Sequence, residues 1–554
     1  MDAKWWQSAV VYQLYPRSFQ DSDGDGVGDL PGILRRLDYL QDLGVEVVWL
    51  CPIFASPGVD NGYDVADYCA IDPVFGTLAD FDRLVAGLHA RGMRLILDLV
   101  PNHTSDQHPW FQASRASRDN PKRDWYVWRD GHDGGPPNNW ASIFGGPAWT
   151  RDAATGQYYL HLFTPQQPDL NWDHPAVAEA VGEAARWWLA RGVDGFRIDA
   201  ITCLKKAAGL PDMPNPEGLA AVPAYPRFLN APGVLGAVDR LCQAAFAGRD
   251  LLLVGEGNGI SPRQSEAWVG PRHHRLSLVM HFEHWHLDTG DPAAPLNVVA
   301  LKRSVGRWQR ALAGRGWNAL YLENTELARV VSRWGDPQRF PRESAAALAT
   351  AMYLLPGTPF LYQGQELGLA NPRFRRLDEF RDVVARRRID EGRARGESEE
   401  AILAELQASG RDNARTPMPW DDGPWGGFSE GQPWLWAAPA DPGANVAAEE
   451  ADPDSVLNYY RRLLALRSRE PALTMGAYRP RLGRHRQLFA YTRETPAGRI
   501  LVIANLSGTA TRYRHGDGRL GRDDLLLATR PVPPHPPVGT FTLAPFEARV
   551  YRVA

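Results

Sequence analysis

The sequence predicts an α/β protein built on a (β/α)8 TIM barrel, with a small inserted domain and a C-terminal antiparallel β domain. Apolar strand-like segments alternate with amphipathic helical segments eight times before about residue 370. An irregular segment, 104–172, interrupts this alternation after the third strand and is far too long for a loop. From about residue 471 the pattern changes to short alternating strands.

The composition is that of a globular protein of several domains. The chain has 554 residues, of which 44% are hydrophobic and 23% charged. The formal net charge of -4 implies no polyanionic partner, so we expect no nucleic acid to bind. The spacing of the four cysteines favours reduced thiols over a disulfide framework. With no signal-peptide pattern and no apolar run long enough for a membrane span, we expect a cytoplasmic protein of unspecified oligomeric state.

An acidic loop follows the first predicted strand, which lies near Val11. Aspartates at alternate positions around glycines bring their oxygen atoms together on one hard cation, as in calcium loops. No glutamate closes the loop at its twelfth position, so a solvated acidic turn is the alternative. We predict a structural Ca2+ (or Mg2+) site with the ligands Asp21, Asp23, Asp25, Val27 and Asp29.

The next two βα units are predicted from alternating helices and strands. Helices are expected over 30–43 and 81–91, and strands over 45–50 and 93–100. Asp98 lies on the otherwise apolar second strand of this group. A carboxylate in such a place must be paired or functional.

The strand predicted over 195–200 carries two charged residues on one side. Arg197 and Asp199 are two positions apart, so their side chains point the same way. A neighbouring guanidinium keeps a carboxylate ionised, as a nucleophile requires. The alternative is a structural ion pair at the end of a strand.

Carboxylates recur at or just past the C-terminal ends of predicted strands. The remaining strands are expected near residues 253, 279, 320 and 360, and the carboxylates concerned are Asp98, Asp199, Glu256 and Glu326. That end of a (β/α)8 barrel is where such proteins carry their chemistry. The predicted domains are 1–103 (first part of the barrel), 104–172 (inserted domain), 173–470 (second part of the barrel) and 471–554 (C-terminal β-sandwich).

One ionised and one protonated carboxyl are the groups that cleave a glycosidic bond. Asp199, beside Arg197, is expected to attack the anomeric carbon. Glu256 ends an apolar strand, and partial burial is expected to keep it protonated as the general acid. If the two carboxyls lie about 5 Å apart, the reaction retains the anomeric configuration.

Several motifs resemble those of the α-amylase family, glycoside hydrolase family 13, in its exo-acting α-glucosidase/oligo-1,6-glucosidase branch. The match spans nearly the whole chain and is carried by residues 60–68, 98–103, 167–172, 195–199, 254–256 and 411–420. The resemblance implies that Asp199 is the nucleophile and Glu256 the acid/base. It also implies a pocket that binds the terminal glucose of a short α-glucoside.

The resemblance also implies which residues bind the sugar. His103, Arg197, Asp60, Tyr63 and Arg415 are expected to hold the glucose in the deepest subsite. Ring contacts are expected from Phe144 and Phe163, although core packing explains these two phenylalanines nearly as well. The full predicted binding set is Asp60, Tyr63, His103, Phe144, Phe163, Gln167, Arg197, Thr325 and Arg415.

The chain departs from the family in its fourth conserved region. The family has Asn-His-Asp, whereas this chain has Asn324, Thr325 and Glu326. Glu326 is the expected third catalytic carboxylate, and its extra methylene moves the carboxylate by about 1 Å, which is enough to matter in an active site. We prefer a change in sugar or linkage specificity over weak or absent activity.

Three functional alternatives remain at this point. The first is a retaining exo-acting α-glucosidase that hydrolyses short α-glucosides. Members of the family that favour α-1,6 links tend to have Val after the nucleophile, so Ala200 favours α-1,4 or broad linkage. A transglycosylase or a sucrose/maltose isomerase of the same family is the second reading. A non-catalytic sugar-binding or scaffold subunit is the third, and the presence of both Asp199 and Glu256 argues against it.

Overall fold

A computed structural model describes residues 4–273, 275–287, 294–514, 520, 523–533 and 539–553. Its strands, in chain order, are β1 Val11–Leu14, β2 Val47–Leu50, β3 Phe54–Ala55, β4 Asp67–Ile71, β5 Arg94–Leu99, β6 Trp128–Arg129, β7 Trp140–Ala141, β8 Trp149–Arg151, β9 Tyr158–Leu160, β10 Gly195–Ile198, β11 Val222–Pro223, β12 Leu252–Glu256, β13 Leu278–Met280, β14 Ala319–Tyr321, β15 Thr358–Tyr362, β16 Ala477–Arg481, β17 Leu488–Thr495, β18 Gly498–Asn505, β19 Thr511–Arg514, β20 Leu525–Ala528, β21 Thr540–Leu543 and β22 Ala548–Val553.

Helices alternate with the strands through the first part of the chain. They are α1 Trp5–Ser8, α2 Leu30–Arg35, α3 Leu37–Leu43, α4 Leu78–Ala90, α5 Pro109–Ala116, α6 Pro175–Ala190, α7 Tyr225–Phe228, α8 Val234–Ala245, α9 Ser265–Val269, α10 Val298–Leu312, α11 Val330–Trp334, α12 Pro341–Tyr353, α13 Val383–Ala394, α14 Glu399–Ser409, α15 Val446–Ala451, α16 Val456–Arg469 and α17 Pro471–Met475.

Eight strands form one parallel sheet in the order β13-β12-β10-β5-β2-β1-β15-β14. Each contains one of the eight strand positions predicted from the sequence. All residues of β1, β2 and β10 are buried, as expected for strands covered on both faces. The predicted (β/α)8 barrel class is confirmed.

The prediction of a single helix over 30–43 is wrong, because the helix is interrupted at one residue. Arg36 leaves the helical region, with φ -112° and ψ 12°, and separates α2 from α3. Its backbone N–H bonds to Ile33 O, and its guanidinium reaches Gln20 Oε1 at 2.7 Å. These contacts hold Arg36 in the non-helical conformation.

The chain divides into two compact units. The first unit comprises Met1–Trp49, Ala86–Arg94 and Phe282–Ala554, and the second unit comprises Leu50–Val85 and Leu95–His281. These bounds differ from the domain boundaries predicted from the sequence. The predicted boundaries stay a prediction.

The second unit combines barrel strands with short sheets from segment 104–172. Strands β5, β10, β12 and β13 are consecutive neighbours. Beside them, β6, β9 and β8 form an antiparallel sheet, and β7 pairs with β11. Buried side chains of both regions share one core, which contains Trp140, Trp149, Ala200 and Phe228.

The first unit ends in an antiparallel β domain, as predicted. Its main sheet has the order β16-β17-β18-β22-β20, and β19 pairs with β21. The core between them includes Leu501, Tyr513, Phe541 and Tyr551. In the described ranges, no helix is long and apolar enough to cross a membrane.

Candidate active site

In the second unit, one arginine holds three carboxylates. Arg197 Nη1 donates to Asp98 Oδ1 at 3.0 Å and to Asp199 Oδ1 at 2.5 Å, and Nη2 donates to Glu256 Oε2 at 2.9 Å. The Arg197 side chain is 8% exposed. Burial opposes its charge, but the carboxylates of Glu256, Asp98 and Asp199 hold the pKa of Arg197 well above its usual value. The predicted Arg197–Asp199 pair is therefore part of a larger charge cluster.

The strand register brings this cluster together. Arg197 on β10 lies opposite Asp98 on β5, and the next residue, Ile198, lies opposite Gly255 on β12. Close approach of the strands depends on Gly195, because a Cβ there would lie 2.0 Å from Leu252 O. Asp199 comes just after the strand, and Glu256 is the last residue of β12.

Ala200 connects the expected nucleophile to the expected acid. Its φ of 44° lies in the left-handed region, which non-glycine residues rarely adopt. In this conformation its N–H donates to Glu256 Oε2 at 2.8 Å. Oε2 thus accepts from two donors, Ala200 N and Arg197 Nη2, which stabilise a negative charge on that oxygen. Partial burial is the feature predicted from the sequence for Glu256, but these two hydrogen bonds are the main feature of its environment in the structure.

A second group of sequence-predicted residues surrounds His103. Gln167 Nε2 donates to Asp60 Oδ2 at 3.1 Å and lies 3.2 Å from His103 Nε2. The same His103 nitrogen lies 3.2 Å from Tyr63 O. Burial lowers the pKa of His103 to about 4, so the imidazole is neutral near neutral pH. Burial and then the Asp98 carboxylate raise the pKa of Tyr63, which shows that this group adjoins the Arg197 cluster.

The two phenylalanines pack against this histidine. The ring centroids of Phe163 and His103 are 4.8 Å apart, and those of Phe163 and Phe144 are 5.4 Å apart in an edge-on arrangement. Phe163 also packs against the hydrophobic core of the second unit. Both phenylalanines therefore lie beside predicted sugar-binding residues. Packing in the hydrophobic core remains the alternative role for them.

An ion pair that was not predicted from the sequence lies next to His103. Lys206 Nζ lies 2.6 Å from an Asp169 oxygen and donates to Asn102 Oδ1 at 3.0 Å. Asn102 Nδ2 in turn lies 3.3 Å from His103 Nδ1. Asp169 falls within the motif 167–172, so the motif was recognised but not its partner. The sequence spacing between residues 169 and 206 carries no signal of the pairing.

The first unit contains Thr325, Glu326 and Arg415, which also interact as a group. Glu326 Oε1 accepts from Arg411 Nη2 at 2.6 Å, and Arg415 Nε donates to Thr325 O at 2.8 Å. Asp382 is fully buried and accepts from Arg415 Nη1 at 2.8 Å. Burial opposes its charge, but Arg411 and Arg415 lower the pKa of Asp382. Arg411 lies in the recognised loop 411–420 but was not singled out from the sequence.

Three predicted metal ligands lie close together in the acidic loop. Asp21, Asp23 and Asp29 each offer an oxygen within 4.8 Å of the others, and they form the one such group among the described residues. Asp25 lies outside this group, and its Oδ1 accepts from Val27 N at 2.7 Å. Carboxylate oxygens are the donors that Ca2+ and Mg2+ prefer, so the residues present fit a hard divalent cation.

The loop is shaped by its glycines and by hydrogen bonds to Asp21. A Cβ at Gly26 would lie 2.0 Å from Gln432 O. Asp21 accepts from the N–H groups of residues 23, 24 and 26 and from Ser429 Oγ. Burial opposes the charge, but these donors lower the pKa of Asp21. The loop is thus organised by the protein itself.

Comparison with known proteins defines the class. The model of the alpha amylase catalytic domain matches residues 13–476. Probable oligo-1,6-glucosidase 3 of Bacillus subtilis (strain 168) is 45% identical over 551 residues, which cover 100% of both chains. Trehalose-6-phosphate hydrolase of Escherichia coli (strain K12) is 41% identical over 548 residues, 98% of each chain. The crystal structure of the trehalulose synthase MutB from Pseudomonas mesoacidophila MX-45 has a TM-score of 0.94 at 38% identity and full coverage of both chains.

Barrel, carboxylate cluster and relatives together define a glycoside hydrolase. The resemblance found in the sequence motifs is confirmed over the whole chain. The protein belongs to the α-amylase family, glycoside hydrolase family 13, in its α-glucosidase branch.

Proposed function

We propose that this protein is a retaining, exo-acting α-glucosidase that hydrolyses short α-glucosides through a glycosyl-enzyme intermediate. One observation carries the proposal: Asp199 and Glu256 hydrogen-bond to the two terminal nitrogens of the same guanidinium, that of Arg197. Two carboxyls held by one fork suit the short separation of about 5 Å that retaining enzymes require.

In this mechanism Asp199 attacks the anomeric carbon while Glu256 protonates the oxygen of the leaving group. Oε2 of Glu256 accepts from two N–H donors, so the transferable proton belongs on Oε1. Glu256 then acts as the base that activates water, and the attack of water on the anomeric carbon releases Asp199. Arg197 stays charged throughout and keeps Asp199 ionised between turnovers.

The substrate-binding roles follow the family pattern. We propose that His103, Asp60 and Gln167 bind hydroxyls of the terminal glucose, with Tyr63 and Phe163 beside it and Phe144 behind Phe163. Thr325 and Arg415 are proposed sugar-binding residues of the first unit, and Glu326 is the proposed third carboxylate. The neutral His103 supports this role, because a neutral imidazole both donates and accepts hydrogen bonds.

Linkage preference is the finer part of the proposal. Ala200 leaves more room after the nucleophile than Val would, which favours α-1,4 or broad linkage. Several relatives are named oligo-1,6-glucosidase, so α-1,6 activity is expected within that broad range. The small residue and the names of the relatives together favour an enzyme that accepts both links.

Product analysis with maltose, isomaltose, sucrose and trehalose tests the function. We expect glucose to be released, with the α-anomer formed first, from at least one α-glucoside. NMR of the anomeric protons during the first turnovers reads the configuration directly. Initial β-glucose would contradict the retaining mechanism, and no turnover of any α-glucoside by the folded protein would contradict the enzyme assignment.

A second candidate is the isomerisation of a disaccharide, in which a sugar captures the glycosyl-enzyme in place of water. The close structural similarity to a trehalulose synthase favours it. The same sucrose incubation separates the two reactions. An isomerase converts sucrose into another disaccharide with little free glucose, whereas a hydrolase releases glucose and fructose in equal amounts.

We also propose that the acidic loop binds a structural Ca2+ (or Mg2+) through Asp21, Asp23 and Asp29, with the Val27 carbonyl and Asp25 as further ligands predicted from the sequence. A hard cation there would neutralise clustered carboxylates and fix the loop. We propose a cytoplasmic location because the four cysteines are free thiols. Cell fractionation with an antibody to the protein tests the location.

A further inference from the structure

The first unit contains a cavity that none of the proposed catalytic, sugar-binding or metal-binding residues lines. Its volume is about 350 Å3, at the lower end of the range for small-molecule sites. Seven prolines are among its lining residues, so much of the wall is rigid. The wall is chemically distinctive because it combines two tryptophans with several carboxylates: Trp425, Trp436, Asp421, Asp422, Asp441 and Glu449.

The tryptophans present aromatic surface to this cavity. Both are half-buried, and their rings meet edge-on with centroids 5.1 Å apart. Trp425 has φ 54° and ψ 27°, and Gly426 after it is also left-handed. The N–H groups of Trp420 and Asp421 both donate to Gly426 O, which fixes this turn. A bulky residue held in the left-handed region is typical of a functional site.

A nearly buried carboxyl also lines the cavity. Glu449, on α15, is 3% exposed. Its Oε2 accepts from Leu457 N at 2.9 Å, while its Oε1 accepts from no donor among the described residues. Glu449 lines the cavity, so a ligand there can reach this carboxylate. Oε1 is therefore available to accept a hydrogen bond from a donor that a ligand brings.

The lining cations are already paired with other carboxylates. Arg342 Nη1 lies 2.6 Å from Asp452, and Arg329 Nη1 lies 3.1 Å from Glu323. Neither carboxylate lines the cavity. The four lining carboxylates therefore leave the cavity negative and rich in hydrogen-bond acceptors. Thr416 offers the one hydroxyl among the lining residues.

We propose that this cavity binds a small organic ammonium cation, whose alkyl body contacts Trp425 and Trp436 and whose N–H groups donate to the lining carboxylates. Such a ligand brings positive charge and hydrogen-bond donors that complement the four lining carboxylates, and aromatic rings attract alkylated cations. It also satisfies Oε1 of Glu449. The site is separate from the proposed catalytic residues and does not depend on the proposed function.

The ionisation of Glu449 supports the proposal and sharpens its test. Burial raises the pKa of Glu449 to about 7, with Glu366 and Asp452 acting in the same direction and Arg342 and the Leu457 N–H opposing them. A bound cation favours the ionised carboxylate. Binding is therefore expected to tighten as pH rises through about 7.

Isothermal titration with n-butylammonium chloride tests the site, with potassium chloride at equal ionic strength as the blank. We expect one saturable site per chain, weakened about tenfold in Trp436→Ala and in Glu449→Gln. The matched controls are Trp187→Ala, a half-buried tryptophan of the second unit, and Glu430→Gln, an exposed carboxylate outside the cavity. Both controls should bind as the wild type does.

Three results would overturn the proposal. The first is no saturable binding of the amine by the wild-type chain. The second is wild-type affinity in Trp436→Ala and Glu449→Gln, because the amine would then bind elsewhere. The third is that the cavity binds glucose or maltose and not the amine. Sugar binding would then be weakened in these two variants, and the cavity would be a sugar site. Circular dichroism of each variant verifies folding, and Glu449→Gln should also lose the pH dependence.

Discussion

Glu326 Oε1 accepts a hydrogen bond from Arg411 Nη2 at 2.6 Å in the first unit. Glu326 stands where the family has Asp, and its side chain is 30% exposed. Arg411 also lies 3.4 Å from the fully buried Asp382. The extra methylene of Glu326 is thus accompanied by a defined partner. This pairing argues that Glu326 is held in one position.

We expect Glu326→Asp and Arg411→Gln to affect one interaction. Each should lower kcat/KM on the best substrate about tenfold, because a carboxylate displaced by about 1 Å loses much of its effect. The double variant should be little worse than either single variant, since residues in one ion pair are not additive. Steady-state kinetics on the three proteins gives this comparison. Fully additive losses would mean that Arg411 does not act through Glu326.

The sequence predicts the fold well because its signals are local. Each barrel strand is a short apolar run, and each predicted strand overlaps the strand in the structure, although the predicted ranges are longer by two residues in the cases of 45–50, 93–100 and 195–200. The break at Arg36 was missed because it depends on Gln20 and Trp420, and Trp420 is far away in the chain. Helical periodicity carries no information about such contacts.

The candidate site was predicted in part for the same reason. Asp199 and Glu256 mark the ends of strands, where position alone indicates a role. Arg197 as a shared donor to three carboxylates, and Lys206 as the partner of Asp169, depend on strand register and tertiary packing. The left-handed backbone of Ala200, which gives its N–H to Glu256, likewise has no sequence signal.

Removing the proposed nucleophile or acid should give different results. Asp199→Asn should lower kcat on every substrate by about 10^4-fold or more, since no covalent intermediate can form. Glu256→Gln should be as poor on disaccharides but should recover much of its first-step rate on a 2,4-dinitrophenyl α-glucoside. That leaving group needs no proton. Stopped-flow release of dinitrophenolate measures the recovery.

The matched control for these variants is Asp173→Asn, an exposed carboxylate of the same unit. It should keep wild-type kinetics. Wild-type hydrolysis by Asp199→Asn, or equal losses by Glu256→Gln on both leaving groups, would contradict the roles proposed for these residues.

Ala200→Val should change linkage preference at a cost in stability. The added methyl groups narrow the space after the nucleophile, so we expect the ratio of kcat/KM for isomaltose over maltose to rise about tenfold. A β-branched residue is strained at a φ of 44°, and the loss in unfolding free energy should be about 1–2 kcal/mol. Ala200→Gly, which relieves the strain without adding bulk, should leave the ratio unchanged. An unchanged ratio in Ala200→Val would remove Ala200 as a determinant of linkage.

Acid should destabilise the protein through its buried histidines. Burial lowers the pKa of His108 to about 4, from a usual value of 6.5. The unfolded chain binds the proton more readily, so the stability is complete above about pH 6.5 and falls as pH falls toward 4. His103 and His161, whose pKa values are also about 4, act in the same direction.

His108→Asn isolates one of these groups. His108 caps α5, where its Nδ1 accepts from Trp110 N at 3.1 Å, and Asn is a good replacement in that position. The thermal midpoint of the variant should fall less between pH 8 and pH 5 than that of the wild type. The difference between the two proteins in the loss of unfolding free energy should be about 2 kcal/mol. Differential scanning calorimetry at both values measures it. Identical pH dependence would mean that His108 is protonated in the folded state as well.

Removal of the proposed divalent cation should lower the stability of the loop that contains Asp21, Asp23 and Asp29. Their clustered oxygens repel each other without a cation, so EDTA should lower the thermal midpoint by a few degrees and added Ca2+ should restore it. Asp23→Asn should lower the midpoint and abolish the response to EDTA, whereas Asp38→Asn, an exposed carboxylate of the same unit, should do neither.

Asp25→Asn distinguishes the two ligand sets, because it should resemble Asp23→Asn only if Asp25 joins the group when the cation binds. Elemental analysis that finds no divalent metal in the dialysed protein, together with a midpoint insensitive to EDTA, would show that the loop is organised by hydrogen bonds to Asp21 alone.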